Sequence, residues 1–582
     1  MMQRILFLRV PECYENDGRC GGGLAALGPE EDFMKYTLLM GATSLALLQA
    51  PVAVHAAVGC AELSGAAPAG VTITEAVETA STPEVPVAHC LVRGMTGQHQ
   101  GIDGKSYGIK FELRLPSEWN GRFVHQFNGG NDGAVVPALG PLHGGNKANT
   151  ALSRGYAVVS SDAGHDGKAN PEKGIAGGAA FGFDPQARRD YGYAAVETLN
   201  PLAEALVESH YGKPIAYSYG IGTSNGGRHA LMAATRLPEM FDGLLAGYPG
   251  FNLPKAAVQH AWDMQAWTSV NADIAKAFSR DDMMVLAKGI VAACDALDGL
   301  ADGVVADMDG CQAKFQPQSV ECKAAGDTGC LTPAQVAALV KSLGGPKNSK
   351  GEQLYSSWAW DPGMASNNWR GWKLESGVDA WGKKPIIGVM GAASLAQVFT
   401  TPPTAVGGKP DELQAFLLGF DFDRDAPKIF AKDGTFTEAA TEFMIPPGSD
   451  NPKLDGFKAA GHKMIVFHGN ADPVFSVVDT INWYKKLDEN NGGAAEEFVR
   501  FYRIPGMPHG ASGPIYDDFD FFSPLVAWVE NGTAPQAIAV GVTDANKEAE
   551  GLKGTRFLYC PYPQVARFNG GTAKDESRVT CQ

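Results

Sequence analysis

Tyr217-Ser218-Tyr219-Gly220-Ile221-Gly222-Thr223-Ser224-Asn225-Gly226-Gly227-Arg228-His229 has the form of a nucleophile elbow, in which a strand turns sharply at a serine and opens a helix. The turn needs small residues two before and two after the serine, and Gly222 and Gly226 stand there. Ser224 is therefore the candidate nucleophile. The pattern occurs twice, because Gly104-Lys105-Ser106-Tyr107-Gly108 also fits. That copy precedes the alternating run 109–115 and reads as a hairpin turn. The Ser224 copy follows residues 214–220, which read as a buried strand, and runs into the helix-forming stretch 228–234.

A serine hydroxyl needs an imidazole base, and the imidazole needs a carboxylate to fix its tautomer. On α/β-hydrolase folds the acid and then the histidine follow the serine in the chain. The apolar strand 463–468 runs into Gly469-Asn470-Ala471-Asp472-Pro473, which puts Asp472 at a strand's carboxyl end as the orienting acid. The next strand, 500–504, leads into Pro505-Gly506-Met507-Pro508-His509-Gly510, making His509 the base. Taken singly, Asp472 reads equally as a turn residue and His509 as a loop histidine. Their succession at consecutive strand-to-loop junctions, in elbow order, favours the catalytic reading. Oxyanion donors are expected from the amide of Asn225 and from Gly130, in the glycine-rich stretch 128–133 that follows the strand 123–127.

With these residues placed, the chain resembles the tannase and feruloyl esterase family, which includes hydrolases of mono(2-hydroxyethyl) terephthalate. The matches are Ser224-Asn225-Gly226-Gly227-Arg228, Ser161-Asp162-Ala163-Gly164-His165 after the strand 157–160, Asp472, and Pro508-His509. The resemblance runs from about Cys60 to the end. It implies an α/β-hydrolase core interrupted by a large inserted lid, and hydrolysis of aromatic acid esters. One departure stands out. Many members carry a cysteine just before the nucleophile and another just after the histidine, and this chain has Thr223 and Gly510.

The chain has 582 residues and a formal net charge of −16, without a basic cluster, which argues against nucleic acid or an anionic membrane surface as partner. One core with an insertion accounts for the length: 57–250, then the insertion 251–455, then 456–582. Met34-Lys35, an apolar stretch 38–48 and small residues ending at Ala56 read as a signal peptide over 34–56, so that translation starts at Met34 and residues 1–33, with Cys13 and Cys20, precede the native protein. A periplasmic or secreted location follows. Eight cysteines remain, an even number that suits an oxidising compartment, although spacing alone leaves their connectivity open. The family resemblance implies the pairs Cys60–Cys90, Cys294–Cys311, Cys322–Cys330 and Cys560–Cys581. Ala57-Val58-Gly59-Cys60 also loosely resembles a lipoprotein cleavage box, a rival use for Cys60.

In the insertion the strand-and-helix rhythm fails, and seven of the ten tryptophans lie there: Trp262, Trp267, Trp358, Trp360, Trp369, Trp372 and Trp381. Most are expected in its core, with one or two facing the elbow. Within it, Asp295, Asp298 and Asp302 recur on a glycine-containing loop suited to calcium, which takes six to eight oxygens from carboxylates and carbonyls. The resemblance adds the carbonyls of Leu300 and Val304. The spacing is not that of an EF-hand, and such an ion would be structural. No organic cofactor is expected.

The leading function is a serine carboxylesterase acting on phenolic acid esters such as ferulate or gallate. Alternatives are a hydrolase of mono(2-hydroxyethyl) terephthalate, a peptidase or acyltransferase with the same triad, and a calcium-stabilised binding protein on a dead hydrolase fold. A terephthalate monoester carries a far-end carboxylate that needs a cation. The insertion has no arginine between Arg370 and Arg424, and Lys373, Lys383 and Lys384 read as exposed, so neutral phenolic esters are expected to be preferred. Oligomeric state is not legible.

Overall fold

Along the central strands, alternate side chains enter different cores. Leu244, Ala246, Met464 and Val466 pack on one side, while Leu245, Ile465 and Phe467 pack on the other. A strand buried on both faces reads as a continuous apolar run, which is how these segments appear in the sequence. The computed structural model describes residues 56–570 and 578–582. The expected signal peptide, save Ala56, and the stretch 1–33 lie outside the described residues.

Nine strands form one sheet: β1 (Thr72–Thr79), β2 (His89–Gln100), β3 (Ser106–Pro116), β4 (Arg122–Phe127), β5 (Ala157–Ser161), β6 (Tyr217–Thr223), β7 (Gly243–Gly247), β8 (Lys463–Gly469) and β9 (Val499–Ile504), in the order β1-β2-β3-β5-β4-β6-β7-β8-β9. The first three are antiparallel, β3 meets β5 antiparallel, and the rest from β5 through β9 run parallel. Ser106 opens β3 opposite Gln100, which makes the Gly104–Gly108 pattern the end of a hairpin. This is an α/β-hydrolase fold.

Strand β6 corrects the sequence reading. It starts at Tyr217 and not at residue 214: Pro214 has no N–H to give to a ladder, and the Ile215 amide donates to the Glu208 carboxylate instead. Helix α1 (Ala195–Tyr211) precedes it and α2 (Asn225–Arg236) follows, longer at both ends than the stretch 228–234. Between β7 and β8 no residue joins the main sheet, and this region includes α3 (Leu253–Thr268), α4 (Asn367–Lys373) and α5 (Ala392–Gln397). Its core, in which Trp267 and Trp369 are buried, also takes in Phe181, Ala187 and Tyr191 from the first part of the chain. After β8, α6 (Val477–Asn490) returns the chain to β9.

The four cysteine pairs are Cys60–Cys90, Cys294–Cys311, Cys322–Cys330 and Cys560–Cys581, with Cα separations of 5.7, 5.1, 5.0 and 5.5 Å. The Cys60 sulfur is thus joined to Cys90. Among the described residues no helix is long and apolar enough to cross a membrane.

Candidate active site

Parallel register brings the strand ends together. Phe127 lies beside Gly222, Thr223 beside Gly247, Gly247 beside Phe467, and Gly469 beside Ile504. The loops after β4, β6, β7, β8 and β9 therefore open on one edge of the sheet, where ligand crevices of such folds occur.

At the elbow Ser224 has φ 63° and ψ −124°, a conformation that costs a non-glycine residue about 1–3 kcal/mol and holds its side chain out from the turn. The flanking glycines are required by contact. A Cβ on Gly222 would come within 2.7 Å of the Gly226 backbone, and one on Gly226 within 2.3 Å of the Phe127 carbonyl oxygen. Ser224 Oγ lies 2.9 Å from His509 Nε2, and His509 Nδ1 lies 2.8 and 3.1 Å from the two Asp472 oxygens. Burial pushes the Asp472 carboxyl up, but the His509 charge and hydrogen bonds from His468 and His509 outweigh it and hold the group well below its usual range. Amides of Val474 and Phe475 also donate to Asp472 Oδ1, so this carboxylate is fixed from several sides.

The imidazole is enclosed by the rings of Tyr248, Trp372 and Phe475, at centroid distances of 4.8, 5.0 and 5.4 Å. Asn368 grips the same residue through the backbone: its Nδ2 donates to the His509 carbonyl at 3.0 Å, and the His509 amide donates to its Oδ1 at 3.2 Å. Trp372 and Asn368 both lie on α4, so the insertion forms part of the site. Sequence reasoning missed Asn368. Its only local signal is Ser366, whose side chain caps α4.

Asn225 opens α2, leaving its amide free of any partner within the helix. Its side chain is held by Asp132 and Arg228: Asn225 Nδ2 donates to Asp132 Oδ1 at 2.8 Å, and Arg228 Nε donates to Asn225 Oδ1 at 2.6 Å. The Arg228 guanidinium also donates to the carbonyls of Tyr191 and Gly192, and the Tyr191 hydroxyl donates to the Gly130 carbonyl at 3.1 Å. Gly130 and Asn225 are thereby tied into one hydrogen-bonded network. Burial raises the Asp132 carboxyl to about 7 against the Asn225 hydrogen bond and the Arg228 charge. In the Ser161–His165 motif, His165 Nε2 lies 2.9 Å from the Asn131 carbonyl and its ring stacks on Phe181, which props the loop after β4.

A cavity of about 280 Å³ lies against these groups, lined by Gly130, Asn131, Ser224, Asn225, Tyr248 and His509 at one end. Leu253, Ala257, Trp372, Met390, Phe399 and Val474 make its walls largely apolar. Trp372 is the one tryptophan of the insertion among the lining residues. No lysine or arginine is among them. Arg370 donates to the carbonyls of Ala275 and Phe278 and pairs with Glu375, while Arg424 pairs with Asp425. Lys373 corrects the expectation of exposure: it is buried because it pairs with Asp263 and sits over the Trp358 ring. Lys383 is exposed and Lys384 half-buried, each beside an aspartate.

Asp295, Asp298 and Asp302 share one loop, but each accepts backbone amides of that loop. Among the described residues no group of three or more His, Cys, Asp or Glu side chains is gathered as a metal centre. The donor chemistry nevertheless suits a hard cation. Burial raises the Asp298 carboxyl to about 7, and the charges of Asp302 and Asp295 add to this, a set of mutually repelling oxygens that a cation would relieve.

A serine on an elbow of this sheet, bonded to an imidazole that is bonded to a carboxylate, defines a hydrolase of the α/β-hydrolase class. The chain belongs to the tannase and feruloyl esterase family, whose model matches residues 93–582, and it is a carboxylic ester hydrolase. It is 39% identical over 528 residues to the mono(2-hydroxyethyl) terephthalate hydrolase of Piscinibacter sakaiensis, covering 86% of each chain. It is 29% identical to a probable feruloyl esterase of Arthroderma benhamiae, over 86% of this chain and 87% of that one. Its fold matches the crystal structure of feruloyl esterase B from Aspergillus oryzae with a TM-score of 0.71 at 21% identity, over 90% of this chain and 99% of that one.

Proposed function

We propose that the protein is a secreted esterase that hydrolyses neutral phenolic esters, such as those of ferulate or gallate, through an acyl-enzyme on Ser224. Ser224 Oγ attacks the ester carbonyl carbon while His509 Nε2 takes its proton. The oxyanion that forms is stabilised by the amides of Asn225 and Gly130. Collapse of this intermediate breaks the bond to the alcohol oxygen, which leaves with the proton from His509. Water then attacks the acyl carbon, His509 receives the water proton and returns it to Ser224, and the free acid departs. Asp472 holds the imidazole tautomer throughout.

The observation that carries the substrate reading is the cavity wall. A terephthalate monoester would bury a carboxylate there, and no lysine or arginine among the lining residues meets it. The 39% identity to a mono(2-hydroxyethyl) terephthalate hydrolase favours the second reading. Comparing kcat/KM for methyl ferulate, a gallate ester and the terephthalate monoester on one preparation separates them, and a clear preference for the last overturns the proposal. Fluorophosphonate labelling of Ser224 distinguishes an esterase from a binding protein on the same fold. Export rests on the signal-like stretch 34–56 together with four disulfides. We further propose a structural calcium held by the carboxylates of Asp295, Asp298 and Asp302 and the carbonyls of Leu300 and Val304, which would neutralise their mutual repulsion.

A further inference from the structure

Among the polar side chains that line the cavity, His260 is one for which the ester chemistry has no use. His260 lies on α3 and lines the cavity, yet it is 6% exposed, and its Nδ1 is fully buried without a hydrogen-bond partner. A neutral imidazole presents one N–H and one lone pair, and leaving such groups unpaired in a buried site is unfavourable. Leu253, Ala257, Met390 and Phe399, which line the cavity with it, are apolar and give the imidazole no hydrogen-bond partner.

Its place in the cavity follows from the helix. Leu253, Ala257 and His260 are spaced four and three apart, so they share one face of α3, and all three line the cavity. The helix begins beside the elbow, since the Gly250 amide donates to the Ser224 carbonyl at 3.1 Å. From Leu253 to His260 is seven residues, about 10 Å of helix, so the two side chains line different parts of the cavity. Across from it Gly391 makes the room: a Cβ there would come within 2.5 Å of His260 Cδ2 and 3.0 Å of Nε2. Ser394, one turn after Gly391, also lines the cavity.

We infer that His260 is a specificity-determining residue that hydrogen-bonds the ring hydroxyl at the end of a phenolic acyl group farthest from the scissile carbonyl. The inference rests on the phenolic-ester reading above and deepens it. A para-hydroxyl both donates and accepts, which matches a neutral imidazole in either tautomer, whereas a far-end carboxylate would meet a ring that burial and the Lys373 charge keep uncharged. Leu253, Ala257, Met390 and Phe399 supply apolar wall that fits the aromatic ring.

The test compares methyl 4-hydroxycinnamate with methyl cinnamate, which differ only in that hydroxyl, on the wild type, His260→Leu and His260→Gln. The wild type is expected to favour the hydroxylated ester by about tenfold in kcat/KM, the size of one net hydrogen bond. His260→Leu should bring the ratio to about one while turning over methyl cinnamate within about threefold of the wild type, and His260→Gln should restore part of the preference. Thermal melting identifies a variant that fails to fold, in which case the Gln variant decides alone. A ratio that His260→Leu leaves unchanged, or equal losses on both esters, overturns the inference while the phenolic reading stands. A wild type that hydrolyses neither cinnamate but does hydrolyse the terephthalate monoester overturns both.

Discussion

Asp132 accepts a hydrogen bond from the Asn225 side chain at 2.8 Å, joining the loop after β4 to the first residue of α2. The two proposed oxyanion amides, of Gly130 and Asn225, come from segments 95 residues apart in the chain. Their spacing must hold to within a few tenths of an ångström for both to meet one oxygen. The Asp132–Asn225–Arg228–Tyr191–Gly130 network is what connects them, and every side chain in it is buried or part-buried.

Removing the Asp132 carboxylate should therefore loosen the oxyanion site without touching substrate. Asp132→Ala is expected to lower kcat about tenfold, roughly 1.4 kcal/mol of barrier, with KM little changed, and Asp132→Asn, which keeps an acceptor oxygen, should recover most of it. A loss confined to KM would refute the positioning role.

The same residue makes a pH prediction. An unfolded aspartate titrates near about 3.9, and burial raises Asp132 to about 7 in the fold. The folded state thus holds the proton more tightly, so this group's contribution is full below about pH 4 and is lost as pH rises through about 7. Asp132→Asn removes the liability, and its Tm relative to wild type should rise between pH 5 and pH 8. A difference that is flat across that range would count against the raised carboxyl.

Ser224→Ala and His509→Ala should each cost on the order of 10⁴-fold in kcat with the fold retained, and Asp472→Asn a similar factor by releasing the imidazole tautomer. Ser106→Ala should be silent, because Ser106 is an exposed residue at the start of β3. Steady-state kinetics on an aryl ester with all four variants checks this, and a silent Ser224→Ala would show that Ser224 is not the nucleophile.

The strand ends were readable from sequence because each couples an apolar run to a glycine-rich or proline-rich turn, as at Phe127, Gly469 and Ile504. Local pattern also located Ser224, Asp472 and His509, since the fold orders them along the chain. What escaped was set by long-range contact. Asn368 clamps His509 from 141 residues away, and Lys373 is buried by Asp263, 110 residues distant. Nothing near either residue in sequence announces its partner. His260 was likewise invisible: a histidine in a helix acquires meaning only when Gly391 is found against its ring.

Cysteines at Thr223 and Gly510 should form a disulfide, because these residues flank Ser224 and His509, whose side chains lie 2.9 Å apart. Gly510 has φ 116°, where a side chain is strained, so Gly510→Cys alone should lower Tm. Oxidation of the double variant should recover part of that loss by tying the two loops together. Thiol titration and melting of the oxidised and reduced forms check this, and thiols that stay free in a folded, oxidised double variant would mean that the Cα atoms lie farther apart than the roughly 7 Å a disulfide spans.

Chelation should lower Tm more than it lowers the initial rate. A calcium ion bound only to the folded loop stabilises by mass action, about 2.7 kcal/mol when its concentration is a hundred times the Kd. The loop carries Asp295, Asp298 and Asp302, none of which lines the cavity, and so the ion has no direct path to the ester. Melting curves before and after exhaustive dialysis against chelator, with elemental analysis of both samples, measure the effect. Asp298→Asn should remove most of the calcium-dependent gain in Tm while leaving kcat within about twofold of wild type. An unchanged Tm together with no calcium in the untreated protein would sink the proposed site, and a collapse of kcat at unchanged Tm would instead move the ion into the chemistry.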